Sequence, residues 1–222
     1  MTTLLDSKPF FLLCSLIILL LASPFIEATQ WGDLLITALF TGILLSLVRL
    51  VSDRRKLQIG VGILAACAVL LLWIGDAFPP DAVWIWGEAL YACLNILIIV
   101  IALMQIVTSK VVDRDVLIGA VAIYLLLGLT WSLIFSFVHA IDPGSFGDII
   151  GNEHGDWNQF VYFSFSTLTT LGYGDIVALS PFARTLSVLA AVTGVMYKAM
   201  IIARLVGLFR GAQDQPESHT PR

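Results

Sequence analysis

The chain has 222 residues, 59% of them hydrophobic and 13% charged, with a formal net charge of -4. A mean hydropathy of +0.94 excludes an ordinary soluble domain. The composition describes an all-α integral membrane protein, in which the useful unit is a span of about 20 apolar residues.

Six spans are predicted: Pro9 to Ala28, Leu34 to Val51, Leu57 to Gly75, Gly87 to Thr108, Val116 to Val138 and Phe182 to Leu208. The first has a competing reading as a secretory signal peptide, because Lys8 and an apolar run are followed by Ser23 and Ala28. The run is long for such a signal, and its cleavage would leave the orientation of the other spans unchanged. Cys14, Cys67 and Cys93 all fall inside spans and are read as buried apolar thiols.

Cations set the orientation. Lys8, Arg49, Arg54, Arg55, Lys56, Lys110, Arg114, Arg204 and Arg210 flank one set of span ends. The connections on the other side carry Asp76, Asp81, Asp142, Asp148, Glu153 and Asp156 with no Lys or Arg. Both termini are therefore expected in the cytoplasm, with Arg184 as an interfacial anchor at the outer start of the last span. In the fourth span Glu88, Asn95 and Gln105 read as scattered, and there is no arginine, so the charge series of a voltage sensor is missing.

From Asp113 onward the pattern changes, with two long spans bracketing about 40 residues, a length uncommon for a connection without a role. Residues 139–157, "HAIDPGSFGDIIGNEHGDW", read as an exposed outer turret whose acids either concentrate cations at the entrance or merely keep the loop solvated. His139 and His154 there leave external pH sensitivity open. "NQFVYFSFSTLTT" follows, too short and hydroxylated to span but long enough for about three helical turns. It reads as a helix that enters the membrane and stops.

The next residues, Thr170-Leu171-Gly172-Tyr173-Gly174-Asp175, place glycine at alternate positions. Glycine adopts positive φ without a Cβ penalty. Alternating left- and right-handed residues can turn successive carbonyl oxygens to one side, and a row of carbonyls can replace the water shell of a cation. Non-helical backbone is tolerated at this depth only where protein buries it or where it lines an aqueous path.

On these residues the chain resembles the potassium channel family, whose filter reads T-V-G-Y-G, commonly followed by Asp, with Leu171 here replacing the usual Val. The resemblance implies K+ as the permeant ion, bound at Thr170, Leu171, Gly172 and Tyr173, with Gly174 ending the ladder at the mouth. Thr170 would offer both carbonyl and hydroxyl. The side chain of Leu171 would pack behind the pore, and Tyr173 would point into an aromatic cuff whose positions are held by Tyr162 and Phe163. Ser166 stands where several relatives carry an acid that bonds the filter aspartate, which leaves Asp175 one candidate partner fewer. A homotetramer is implied, because one chain supplies one carbonyl strand. In the family the sensor arginines recur every third residue of the fourth span, and this chain departs from that.

In the last span Gly194 lies 19 residues after Asp175, at the place of the family's gating-hinge glycine. Close helix packing is an equal alternative for it. Lys198 follows one turn later, where inward rectifiers often carry an acid that attracts blocking polyamines. A pore-facing lysine would lower cation occupancy; snorkelling to the inner boundary and a lowered pKa are the alternatives.

The chain is thus expected to divide into a four-helix transmembrane module without a charged sensor (1–112), a pore domain with a re-entrant helix and filter (113–210), and a short disordered cytoplasmic tail (211–222). No internal repeat or low-complexity tract is seen. The expected function is a potassium-selective channel in the plasma or bacterial inner membrane, with itself and lipid as partners, no nucleic acid and no cofactor. Lys198 keeps open a weakly conducting or regulatory subunit, or a less selective cation channel. A membrane enzyme or secondary transporter would place polar clusters in several spans, and no catalytic constellation is apparent.

Overall fold

The computed structural model describes residues 8–27, 32–50, 55–77, 81–108, 114–147 and 157–213. They form seven helices: α1 Lys8–Glu27, α2 Gly32–Leu50, α3 Arg55–Ala77, α4 Asp81–Thr108, α5 Arg114–Ile141, α6 Trp157–Thr169 and α7 Pro181–Gln213. A 3-10 turn, Pro143–Ser145, and two short strands, β1 Phe146–Gly147 and β2 Val177–Ala178, complete the described chain.

Among the described residues, four helices are long and apolar enough to cross a membrane, over Pro9–Ile26, Trp86–Ile106, Arg114–Ile141 and Pro181–Arg204. Helices α2 and α3 carry shorter apolar runs, Leu35–Leu47 and Ile59–Leu71. The chain is therefore a helical, multi-pass membrane protein. Helix α7 continues to Gln213, so the first residues of the expected tail are helical, and residues 214–222 lie outside the described residues.

Packing runs in order around the first four helices, α1 on α2, α2 on α3 and α3 on α4, and both α1 and α4 then meet α5. Their shared core is aliphatic, with Leu12, Leu16, Leu44, Leu47, Leu94, Ile98, Ile123 and Leu126 among its buried members. A second core lies between α5, α6 and α7 and is aromatic: Trp131, Phe135, Phe146, Phe160 and Phe163. Phe135 meets Phe163 edge-on at 4.9 Å between ring centroids, and Phe146 meets both at 5.4 and 5.7 Å.

Helix α6 is set into α5 at Gly128, where a Cβ would collide with the Phe165 ring, its Cε1 only 2.6 Å away. The bared carbonyl of Gly128 accepts a hydrogen bond from Ser164 Oγ at 2.6 Å. The turret base is tied down by the antiparallel pair β1–β2, in register Phe146 with Ala178 and Gly147 with Val177. Ser145 reinforces it, its carbonyl accepting from the amides of Leu179 and Ser180.

Candidate functional site

The site begins where α6 stops. Thr170 takes φ 65°, and its N–H bonds the carbonyl of Thr167 at 3.1 Å while Leu171 N–H bonds that of Ser166 at 2.8 Å. That pairing is a Schellman cap, with Thr170 in the left-handed position usually given to glycine. A β-branched residue is strained there by roughly 1–2 kcal/mol. Two more left-handed residues follow at every second position, Gly172 at φ 58° and Gly174 at φ 81°, while Leu171 and Tyr173 between them are not left-handed. This alternation is the backbone geometry in which successive carbonyls can share a side, and helix cap and alternating strand are one continuous device.

Ser166 holds it from behind. Its hydroxyl accepts from Gly172 N–H at 3.1 Å, and its carbonyl receives the same amide at 3.2 Å. Where the resemblance led to an expected acid, a serine thus bonds the backbone of Gly172 directly.

Asp175 finds its partner elsewhere. The Tyr162 hydroxyl donates to its carboxylate, which holds the Asp175 carboxyl below its ordinary range and pushes the Tyr162 phenol up to about 12. The two expected cuff residues therefore divide their work, with Phe163 buried in the aromatic core and Tyr162 half-exposed and bonded to the aspartate. Tyr173 itself is 70% exposed and Leu171 56%, so the chain's own core covers neither side chain.

The outer residues also sort differently from expectation. His139 is buried, 5.3 Å from the Phe160 ring centroid and beside Phe146, rather than on the turret surface. Asp142 caps the 3-10 turn, accepting from Gly144 N–H at 3.2 Å and Ser145 Oγ at 2.9 Å. Arg184 is exposed and donates through Nε to the Ala178 carbonyl at 3.1 Å, bracing the segment that leaves the filter. Asp148, Glu153, His154 and Asp156 lie outside the described residues.

Helix α7 closes the site from below. Gly194 is buried, and a Cβ added to it would press into the Leu168 carbonyl oxygen and lie 2.9 Å from its carbon. Close packing is thus its role in this conformation. Trp131 Nε1–H to Thr193 Oγ1 at 3.0 Å and Tyr197 O–H to the Ala120 carbonyl at 2.6 Å fasten α7 to α5 on either side of it. Lys198, one turn further, is half-buried.

Two features were not legible beforehand. Glu88 is not scattered: with Tyr91 and Asn95 it forms a buried polar face of α4, and Ser136 Oγ of α5 donates to both its oxygens at 3.3 Å. Spacing of three, then four, was the available signal. Ser23 of α1 donates to Asn158 Oδ1 of α6 at 2.7 Å, across 135 residues of sequence, and no local pattern announces it. Among the described residues no group of three or more His, Cys, Asp or Glu could hold a metal ion.

Two long apolar helices thus flank a half-length helix and an alternating left-handed strand. Residues 116–210 match the family model described as "Ion channel", from the third residue of α5 into the last turns of α7. The match supports an ion-conducting channel in this part of the chain. No curated protein and no solved structure matches the chain.

Proposed function

We propose that the chain is one subunit of a tetrameric, potassium-selective channel that conducts K+ passively through backbone carbonyls of Thr170, Leu171, Gly172 and Tyr173. The alternation of left-handed residues at 170, 172 and 174 carries this reading. Six spans with both termini in the cytoplasm, in a cell membrane, fit the placement of the cations. Tetramer formation is favoured by the filter itself: exposed backbone and the bare sides of Leu171 and Tyr173 need protein cover at membrane depth. Four copies around an axis supply both that cover and a closed coordination cage. The first 112 residues then form a module without a sensor, and conduction needs neither a cofactor nor enzymatic chemistry.

A second reading, a weakly conducting or regulatory subunit, rests on Lys198. Gly194 faces the Leu168 carbonyl at the foot of α6, and Lys198 continues that face by one turn. With their ammonium groups turned to the axis, four copies would oppose cation occupancy below the filter.

Liposomes with a potassium gradient test both. Wild type should pass K+ far faster than Na+. Gly172→Ala should abolish the preference through its backbone, since a Cβ there meets nothing within 4 Å but φ 58° is strained for alanine. Comparable Na+ flux in wild type would refute selectivity. A gain of K+ flux in Lys198→Leu would support the pore-facing lysine, and equal flux would refute it.

A further inference from the structure

The first turn of α6 is anchored on two sides: Phe160 packs against His139 and Phe146 within the pore domain, and two further anchors reach the turn from the first four helices. Ser23, buried in α1 beside Pro24, donates its hydroxyl to Asn158 Oδ1 at 2.7 Å. Phe40, buried in α2, meets the Trp157 ring edge-on at 5.1 Å between centroids. Phe40 is fixed in turn by α4: Tyr91 packs edge-on against its ring at 5.0 Å, and the Tyr91 hydroxyl donates to its carbonyl at 3.3 Å. One turn from Tyr91, Glu88 accepts the Ser136 hydroxyl and ties α4 to α5. Trp157 Nε1 has no hydrogen-bond partner among the described residues, so stacking on Phe40 is what locates the ring.

We propose that helices α1, α2 and α4 act as a clamp on the N-terminal turn of α6, with Ser23 and Phe40 as positioning residues for the filter. This rests on the channel reading only for its consequence, the selectivity of conduction. Mechanically, α6 pivots where Ser164 bonds the Gly128 carbonyl. Trp157 lies seven residues before that point and Thr169 five after it, about 10 Å and 7.5 Å along the axis. A shift of about 1 Å at the clamped turn therefore moves the capped end, and the carbonyl ladder built on it, by roughly 0.7 Å. Without a charge series, the module has a positional task in place of a sensing one: it sets where the filter's supporting helix begins.

The test uses the full-length protein in liposomes, with two readouts. Hydrogen exchange in residues 157–169 is compared with exchange in α3, and the K+/Na+ flux ratio is measured on the same samples. Ser23→Ala should speed exchange in α6 about fivefold, the effect of losing one ordinary hydrogen bond. Phe40→Leu, which keeps an apolar side chain but removes the ring, should do at least as much. Both should leave α3 unchanged and lower the K+/Na+ ratio, while Ser23→Thr, which keeps a hydroxyl, should match wild type. Unchanged α6 exchange, or acceleration spread equally over α3 and α6, overturns the clamp. So does an unchanged flux ratio in variants that still conduct. If wild type shows no K+ preference but Ser23→Ala loosens α6 alone, the clamp stands and the channel reading falls.

Discussion

Gly194→Ala separates a packing glycine from a hinge glycine. In this conformation the added methyl points into backbone, the Leu168 carbonyl, which cannot rotate away as a side-chain tip would. That carbonyl also lies 3.5 Å from the Tyr124 hydroxyl, which donates to it, so displacing α6 loosens a second contact. Overpacking of this kind costs about 1–3 kcal/mol, and contact with backbone favours the upper end. Alanine recovers about 1 kcal/mol of helix propensity. A net loss near 2 kcal/mol corresponds to a melting temperature lower by roughly 4–8 °C for a chain of this size. Thermal melting of purified protein in detergent reads this directly, alongside K+ flux in liposomes. If Gly194→Ala melts at or above the wild-type temperature while flux changes, the residue serves bending and not packing, and the reasoning fails.

Four further outcomes are expected. Tyr162→Phe removes the phenol that holds the Asp175 carboxyl low. The carboxylate's contribution is present above its ordinary value of about 3.9 and lost as pH falls through the lowered one, so acid inhibition of K+ flux should begin at higher pH in the variant. The phenol's contribution is present below about 10 and lost as pH rises toward about 12, so the variant should also lack the wild type's alkaline loss of stability; superimposable pH profiles would refute the pairing. Thr170→Gly should melt at the same temperature or a few degrees higher, because glycine relieves the left-handed strain, yet conduct differently for want of the hydroxyl; a clear drop in melting temperature would contradict the strain. Ser166→Ala should cost about 1 kcal/mol in stability and lower K+/Na+ selectivity, since Gly172 N–H keeps only its carbonyl partner; unchanged flux ratios would remove the hydroxyl from the filter's support. Glu88→Gln, which still accepts from Ser136, should stay within about 1 kcal/mol of wild type, whereas Glu88→Ala should lose about 1–3 kcal/mol; equal losses would show that the hydrogen bond is not what Glu88 supplies.

Much of this protein is legible in its sequence. Long apolar runs must be helical in lipid, because every backbone group has to be satisfied within its own segment. The short helix ended where hydroxylated residues gave way to alternating glycines, and Gly172 and Gly174 were left-handed as glycine's freedom allows. Thr170 was a less obvious member of that series: propensity argues against a β-branched residue at positive φ, and only the capping bonds to Ser166 and Thr167 reveal why it sits there.

Other assignments depended on what lies across the sequence. Gly194 could bend or pack until Leu168 was found against it, and His139 read as a turret residue until Phe146 and Phe160 were seen to enclose it. Tyr162 changed from cuff residue to partner of Asp175, and Glu88 from a scattered polar residue to a bond between α4 and α5. Ser23 offered no signal at all, since its partner lies 135 residues away. The division has a physical cause. Hydropathy and backbone conformational preference are properties of a residue and its neighbours in sequence, and they determine which segments are helices and where one must end. Which buried hydroxyl, carboxylate or ring meets which partner depends on how those helices cross, and only the tertiary structure decides that.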